Sequence, residues 1–153
     1  MNIWQISADF PPNTGGVASH VYELSKALGS IGHKCTVLTT ISKNHNCEKS
    51  DTLRVKRFKT PRFQPIYDIF FARILKKHLA FDSPDIIHVH GMRPLVASKH
   101  LSVPVVFTNH TSGFLKRIPK GAREIKKVRK RMNHISHVLA PSIELIEATE
   151  KVG

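Results

Sequence analysis

The sequence contains few cysteines, few acids and no long hydrophobic run, and each shortage excludes a class of protein. Two cysteines, Cys35 and Cys47, in 153 residues do not make a disulfide framework, so we expect reduced thiols and a cytoplasmic location. The longest apolar runs are too short to cross a bilayer, and no charged-then-apolar leader opens the chain. We therefore expect neither a membrane span nor a secretory signal peptide.

Acidic residues are scarce relative to basic ones. The chain has 11 Asp and Glu against 24 Lys and Arg, which gives a formal net charge of +13 at pH 7. A surplus of this size predicts an anionic partner, namely nucleic acid, a membrane surface or a phosphorylated substrate.

The apolar pattern alternates between short strands and helices along the chain. It predicts strands at 3–6, 35–39, 53–58, 85–90, 103–109 and 137–140, and helices at 17–28, 66–81, 95–99, 122–134 and 142–151. In the helix over 66–81 we assign the apolar face to Ile66, Ile69, Phe70, Ile74, Leu75 and Leu79. The alternation is typical of an α/β protein, a Rossmann-like open parallel sheet with helices on both faces. The length suits a single domain, and the final helix, with no tail beyond it, suits a domain cut from a longer chain.

The turn after the first strand predicts an anion site. Pro11 and Pro12 exclude a helix there, because their rings fix φ and remove two amide donors. Gly15 and Gly16 have no Cβ and allow a ligand to approach the backbone, and the helix that begins near Val17 turns its free amides toward the same place.

Two common nucleotide folds do not fit this turn. The stretch Thr14-Gly15-Gly16-Val17 lacks the spaced glycines of a dinucleotide-binding fingerprint, and no acid follows the second strand to hold a ribose hydroxyl. The Lys-Ser/Thr pair of a phosphate-binding NTPase loop is also missing.

Five segments, at 11–17, 21–39, 84–91, 103–110 and 138–142, resemble in order the N-terminal domain of family-4 glycosyltransferases. These are retaining enzymes of the GT-B fold. The resemblance covers nearly the whole chain and implies that residues 1–153 form one acceptor-side domain. It further implies that the C-terminal nucleotide-binding domain is absent from this chain. Such an enzyme transfers a sugar from a nucleotide-sugar co-substrate to an acceptor in the cleft between its domains.

The resemblance also implies roles for particular residues. Gly15, Gly16 and Val17 match the donor-contacting turn. His110 matches a histidine close to the transferred sugar, where it would bond a sugar hydroxyl and shape charge at the reacting centre. We also predict an acceptor cleft that includes Asn13, His90 and Arg93.

A metal site is the alternative for the histidines. His88 and His90 lie two residues apart on one strand, so their side chains share a face, and His110 could converge with them. Zinc needs further ligands and support around them, and the resemblance implies no metal. We therefore expect no metal and no cofactor besides the nucleotide-sugar.

A basic segment carries most of the charge. Ala122, Ile125, Val128 and Met132 form an apolar stripe expected to pack on the sheet, and Glu124 is the single acid. An anionic membrane would attract this segment, with Phe114 and Leu115 dipping into the interface, and would make the protein peripheral on the inner face. Nucleic acid is disfavoured, since aromatic residues for base stacking are missing. The nine cations are Lys116, Arg117, Lys120, Arg123, Lys126, Lys127, Arg129, Lys130 and Arg131.

Three functional hypotheses thus remain from the sequence. The first is the N-terminal domain of a glycosyltransferase whose acceptor is a sugar or a lipid-linked or otherwise anionic molecule. The second is a non-enzymatic α/β module that binds nucleic acid or another polyanion through the basic segment. The third and weakest is an NAD-type oxidoreductase domain.

Overall fold

The computed structural model describes residues 1–41, 53–110 and 115–153. The strands are β1 (Asn2–Ser7), β2 (Lys34–Thr40), β3 (Leu53–Phe58), β4 (Ile86–His90), β5 (Val105–Thr108) and β6 (His137–Leu139). The α-helices are α1 (Gly16–Ser30), α2 (Gln64–Leu79), α3 (Met92–Leu95), α4 (Ala122–Met132) and α5 (Ile143–Glu150). Short 3₁₀ turns cover Val96–Ser98 and Ile118–Lys120.

The six strands form one sheet in the order β3-β2-β1-β4-β5-β6, and every neighbouring pair is parallel. The predicted Rossmann-like parallel sheet is therefore confirmed. From β1 the chain first builds outward through β2 and β3, then returns to the other side of β1 with β4. Ligands of such sheets gather at the carboxyl ends of the strands beside this reversal, which here lies between β1 and β4.

Apolar clusters cover both faces of the sheet. Val37 and Leu38 are adjacent in β2, so their side chains point to opposite faces, and they belong to different clusters. The larger cluster joins the sheet to α2, α4 and α5. The smaller one joins it to α1 through Val21 and also contains Phe10 from the turn after β1.

The element bounds agree with the sequence prediction to within a few residues, but the predicted buried face of α2 is wrong. Ile66, Ile69 and Phe70 are exposed and Tyr67 and Phe71 are buried in their place, whereas Leu75 is buried as predicted. Apolar residues occur all around this helix, so their spacing does not identify one face, and the aromatic pair Tyr67–Phe71 takes the core position. Ile74 and Leu79 pack at the edge of the core, as expected. The short helix predicted over 95–99 is replaced by α3 and the first 3₁₀ turn.

Candidate functional site

A cavity of about 1080 Å³ opens at the carboxyl edge of the sheet. Ser7, Thr40 and His90 reach it from the ends of β1, β2 and β4, and Val17 reaches it from the first turn of α1. Because β1 and β4 flank the reversal in strand order, the cavity lies where an open parallel sheet places its ligand.

The lining of this cavity is strongly cationic. Five basic side chains contribute to it, and Asp9 is the only acid among the lining residues. We call this set the cationic lining. Like charges around one cavity repel one another, and an anion bound between them would offset that repulsion. The five residues are Lys59, Arg62, Arg93, Arg117 and Arg131.

Arg93 is held in place by the start of α2. Its guanidinium lies 4.7 Å from the ring centroid of Tyr67, and its Nη2 donates to the carbonyls of Pro61 and Arg62 at 3.3 and 3.4 Å. Gln64 Nε2 donates in turn to the Arg93 carbonyl at 2.9 Å. Burial raises the pKa of the Tyr67 phenol, so the ring beneath the guanidinium stays neutral. The cation is therefore positioned before any ligand binds.

A row of imidazoles lies beside the cavity. His90 Nε2 is 2.5 Å from the side-chain oxygen of Gln5, which can only accept, so His90 donates there. His90 Nδ1 is then an acceptor, and His110 Nε2 donates to it at 3.1 Å. In this arrangement the Nδ1 of His110 keeps a free lone pair, which can accept a hydrogen bond from a ligand hydroxyl.

These imidazoles are kept neutral. Burial, together with the neighbouring His88, lowers the pKa of His90 to about 2. Burial likewise lowers the pKa of His88 to about 4, and this ring bonds Thr108 Oγ1 at 2.7 Å. The pKa of His110 is also lowered, first by burial and then by His20. The row can therefore exchange hydrogen bonds with a ligand at neutral pH without carrying charge.

His20, on α1, completes the cluster, and sequence reasoning missed it. Its ring centroid lies 4.8 Å from that of His110 and 5.7 Å from that of His90. His20 follows Gly16 by about one helical turn, and that spacing was the available signal. One nitrogen from each of His20, His90 and His110 lies within 4.8 Å of the others, a set that could ligate a metal. The convergence weighed from sequence thus involves His20 in place of His88.

The glycine turn stands next to the cavity rather than in its wall. Gly15 has φ +151°, a conformation that side chains disfavour, and its carbonyl accepts from Ser19 N at 3.0 Å as α1 begins. A Cβ at Gly15 or Gly16 would meet no atom within 4 Å, so the backbone is open on that side. Asn13 donates to Asp9 Oδ1 at 3.5 Å and is not among the residues that line the cavity.

The basic segment divides into two parts. Val128 and Met132 are buried and Ile125 packs at the edge of the core, as predicted, but Ala122 in the first turn of α4 is exposed, so the stripe begins at Ile125. Arg117 and Arg131 line the cavity and also a smaller one of about 640 Å³, which Lys120, Lys127 and Lys130 help to line. Lys116, Arg123 and Lys126 are exposed.

Two other members of the segment have contacts of their own. Arg129 Nε donates to the carbonyl of Val152 at 2.5 Å, and Lys127 pairs with Glu124. Phe114 lies outside the described residues, so the predicted pair with Leu115 rests on Leu115 alone, which is exposed. No helix within 1–41, 53–110 and 115–153 is long and apolar enough to cross a membrane.

Sequence comparison finds a family for most of the chain. The family model of Glycosyltransferase Family 4 matches residues 14–153. The chain is 29% identical over 123 residues to a phosphatidylinositol N-acetylglucosaminyltransferase subunit of Homo sapiens, covering 72% of this chain and 25% of that protein. It is 26% identical over 125 residues to the Arabidopsis thaliana protein of the same name, covering 72% and 28%. The chain thus spans about a quarter of the length of these relatives.

Structure comparison gives the same fold. Sucrose-phosphate synthase from Thermosynechococcus elongatus superposes with a TM-score of 0.77 at 16% identity, covering 98% of this chain and 44% of that one. An E. coli structure described as trehalose-6-phosphate, bound with UDP-2-fluoro glucose, gives 0.62 at 13% identity, covering 99% and 42%. The resemblance drawn from the sequence is therefore confirmed, and the oxidoreductase hypothesis loses its basis.

Proposed function

The chain belongs to Glycosyltransferase Family 4, and on that premise we propose that it is the N-terminal, acceptor-side domain of a retaining glycosyltransferase with an anionic, lipid-linked acceptor. The donor is a nucleotide-sugar, and a C-terminal domain outside these residues completes the donor-binding site. No metal cofactor takes part in the proposed reaction. The protein works as a peripheral enzyme at the cytoplasmic face of a membrane.

The cationic lining carries the acceptor part of this proposal. Five basic side chains around one cavity of about 1080 Å³ suit a phosphorylated headgroup, because each can donate charge-assisted hydrogen bonds to phosphate oxygens. The relatives are named for phosphatidylinositol and N-acetylglucosamine. A phosphoinositide-type lipid is therefore the proposed acceptor, and N-acetylglucosamine the first sugar to test.

The imidazole row and the glycine turn support the donor part. Backbone amides at the start of α1, with open space at Gly15 and Gly16, suit the diphosphate of a nucleotide-sugar. His110 can accept from a sugar hydroxyl through Nδ1 while donating to His90, so the ring orients the sugar without acting as a nucleophile. A binding module for polyanions would use the charge but would give the neutral imidazole row no role.

The test is a transfer assay with the full-length polypeptide in the presence of EDTA. Nucleotide-sugars are offered with vesicles that contain either phosphatidylinositol or phosphatidylcholine alone. We expect product only with the anionic lipid. Arg131→Gln should raise the acceptor KM by about tenfold to a hundredfold, the loss of one hydrogen bond to a charged group, and leave the donor KM unchanged.

The matched control is Arg54→Gln, which removes the same charge from an exposed position on the outer strand β3. It should leave both KM values unchanged. Equal transfer to the neutral lipid, or equal effects of the two variants, would contradict an anionic acceptor in this cavity. Loss of activity with EDTA would contradict the metal-independent reaction.

A further inference from the structure

Helix α2 presents an apolar face to solvent. Four large apolar side chains at its start and along its first turns are exposed, while the opposite side of the helix packs into the core through Tyr67, Phe71 and Leu75. The exposed fractions are 66% for Phe63, 53% for Ile66, 59% for Ile69 and 41% for Phe70. We call these four residues the α2 apolar face. Exposed apolar groups in one contiguous set mark an interaction surface.

The four side chains project from one side of the helix. At 3.6 residues per turn they fall within an arc of about 120°, on the side away from the buried aromatic residues. Arg73 and Lys77 project within the same arc, Arg62 directly precedes Phe63, and all three are exposed. The face is therefore amphipathic in itself, with apolar groups between cations.

No acid interrupts this face. The single acid of α2 is Asp68, which is half-buried on the other side of the helix and accepts from Gln64 Nε2 at 2.5 Å. Charged residues are depleted at the core of protein–protein interfaces, whereas the apolar groups of this face have cations beside them and no acid. A helix that lies in the surface of an anionic bilayer has the composition seen here, with aromatic and aliphatic groups entering the acyl boundary and Lys or Arg meeting phosphates.

The α2 apolar face adjoins the cavity. Arg62 and Gln64 line the cavity, and Gln64 also bonds the carbonyl of Arg93. Both chain neighbours of Phe63 therefore line the cavity, and a bilayer that Phe63 enters would be adjacent to the cationic lining. The basic helix α4 offers no such anchor, because its apolar residues Val128 and Met132 are buried against the sheet.

We propose that the α2 apolar face docks the protein on an anionic lipid bilayer, with Phe63, Ile66, Ile69 and Phe70 entering the membrane interface. Docking presents the mouth of the cavity to lipid headgroups. The inference rests on the proposed lipid acceptor for its purpose, whereas vesicle binding is measured without any sugar transfer.

The first experiment compares two double variants of the intact protein in co-sedimentation with phosphatidylserine–phosphatidylcholine vesicles. Ile66→Ser with Phe70→Ser removes two members of the α2 apolar face. Ile143→Ser with Phe81→Ser removes the same side-chain types from positions that are 72% and 83% exposed. We expect the first pair to weaken binding by about tenfold or more, since one aromatic side chain leaving water is worth about that factor, and the second pair to leave binding unchanged.

All four positions are exposed, so both double variants should retain the wild-type thermal midpoint, which checks that the fold is intact. Equal binding by the two variants would overturn the proposal. If both variants bind vesicles with the wild-type affinity, the lipid surface is excluded as the occupant and a protein partner remains.

A second experiment reports the contact directly. Ile69→Trp places a fluorophore on the α2 apolar face, and Phe81→Trp places one away from it; the native Trp4 is fully buried. With anionic vesicles we expect a blue shift and quenching by brominated acyl chains for Ile69→Trp alone. Quenching of neither variant, or of both equally, would overturn the docking. Intact quenching in an enzyme that transfers no sugar would instead contradict only the proposed function.

Discussion

At the scale of single residues, His88 and His90 make stability depend on pH. They are 8% and 1% exposed, and their pKa values in the folded protein are lowered to about 4 and about 2. The unfolded chain therefore binds protons below about pH 6.5 that the folded chain does not. We expect the free energy of unfolding to fall on acidification from that pH, by about 1.4 kcal/mol per pH unit for each histidine, until the folded pKa is reached.

Urea midpoints at several pH values between 7.5 and 4.5 measure this dependence. His88→Gln keeps a partner for Thr108 Oγ1 and should remove the share of the slope that His88 contributes, while His90 and His110, whose pKa values are also lowered, keep the rest. His100→Gln, at an exposed position, should keep the whole slope. Parallel curves for the wild type and His88→Gln would show that another group is responsible.

His110 should matter more for turnover than for donor binding. In the full-length enzyme we expect His110→Ala to lower kcat by about tenfold to a thousandfold, because an oriented hydrogen bond at the reacting centre acts mainly in the transition state. The donor Kd should change little. Steady-state kinetics and equilibrium donor binding separate the two effects, with His100→Ala as the control. An unchanged kcat would reduce His110 to a structural role.

The residue types of the site were more predictable than their partners. The ends of predicted strands identified His90 and His110, because parallel strands bring their carboxyl ends to one edge. Gln5 and His20 were missed. Gln5 lies in the middle of β1, where a buried amide has no sequence signal until its partner across the sheet is known. His20 reaches the other imidazoles because of the angle at which α1 packs on the sheet, and hydrophobic periodicity does not predict that angle.

At the scale of elements, the two basic helices differ in what they bury. Helix α4 has a narrow apolar stripe on a charged background, so its buried face followed from its sequence. Helix α2 is apolar on several sides, and the side that packs against the sheet is the one with Tyr67 and Phe71. Strand bounds were predictable for a related reason, since each strand is a short apolar run between turn residues. The face of α2 required the three-dimensional core.

The charge of α4 should contribute long-range attraction to anionic membranes without insertion. Replacing the exposed Arg123, Lys126, Lys127 and Lys130 by Gln should weaken binding to anionic vesicles, on the order of fivefold per residue near the surface. The salt dependence of vesicle binding should also decrease when these four charges are removed, because salt screens surface charges over roughly 8 Å at physiological ionic strength. Arg129 is left in place, since its bond to Val152 holds the end of the chain.

Co-sedimentation across a salt series measures this effect, and circular dichroism checks the fold. The uncharged change Ala122→Gln at an exposed position of the same helix is the control. Wild-type binding by the quadruple variant at low salt would show that these charges face another polyanion or only solvent.

At the scale of the whole molecule, the order of strands explains why the charges and the imidazoles meet. The reversal between β1 and β4 leaves a crevice at the carboxyl edge of the sheet. The links after β1 and β4 provide the glycine turn and Arg93, and the end of α4 brings Arg131 to the same crevice. Residues far apart in sequence thus form one cationic surface, which a count of charges along the chain cannot show.

This arrangement predicts which ligands the 153 residues can bind alone. They contain the whole cationic lining, so we expect the isolated chain to bind inositol phosphate, with affinity that falls as salt rises. They contain one side of the proposed cleft, and a ligand site buries most of its ligand surface, so nucleotide-sugars should bind weakly and no sugar should be transferred. Calorimetry with inositol phosphate and with UDP-N-acetylglucosamine, beside the transfer assay, measures all three. Arg131→Gln should weaken the first interaction and Arg54→Gln should not. Turnover by the isolated chain would mean that these residues hold a complete donor site, and the proposed division between two domains would then be wrong.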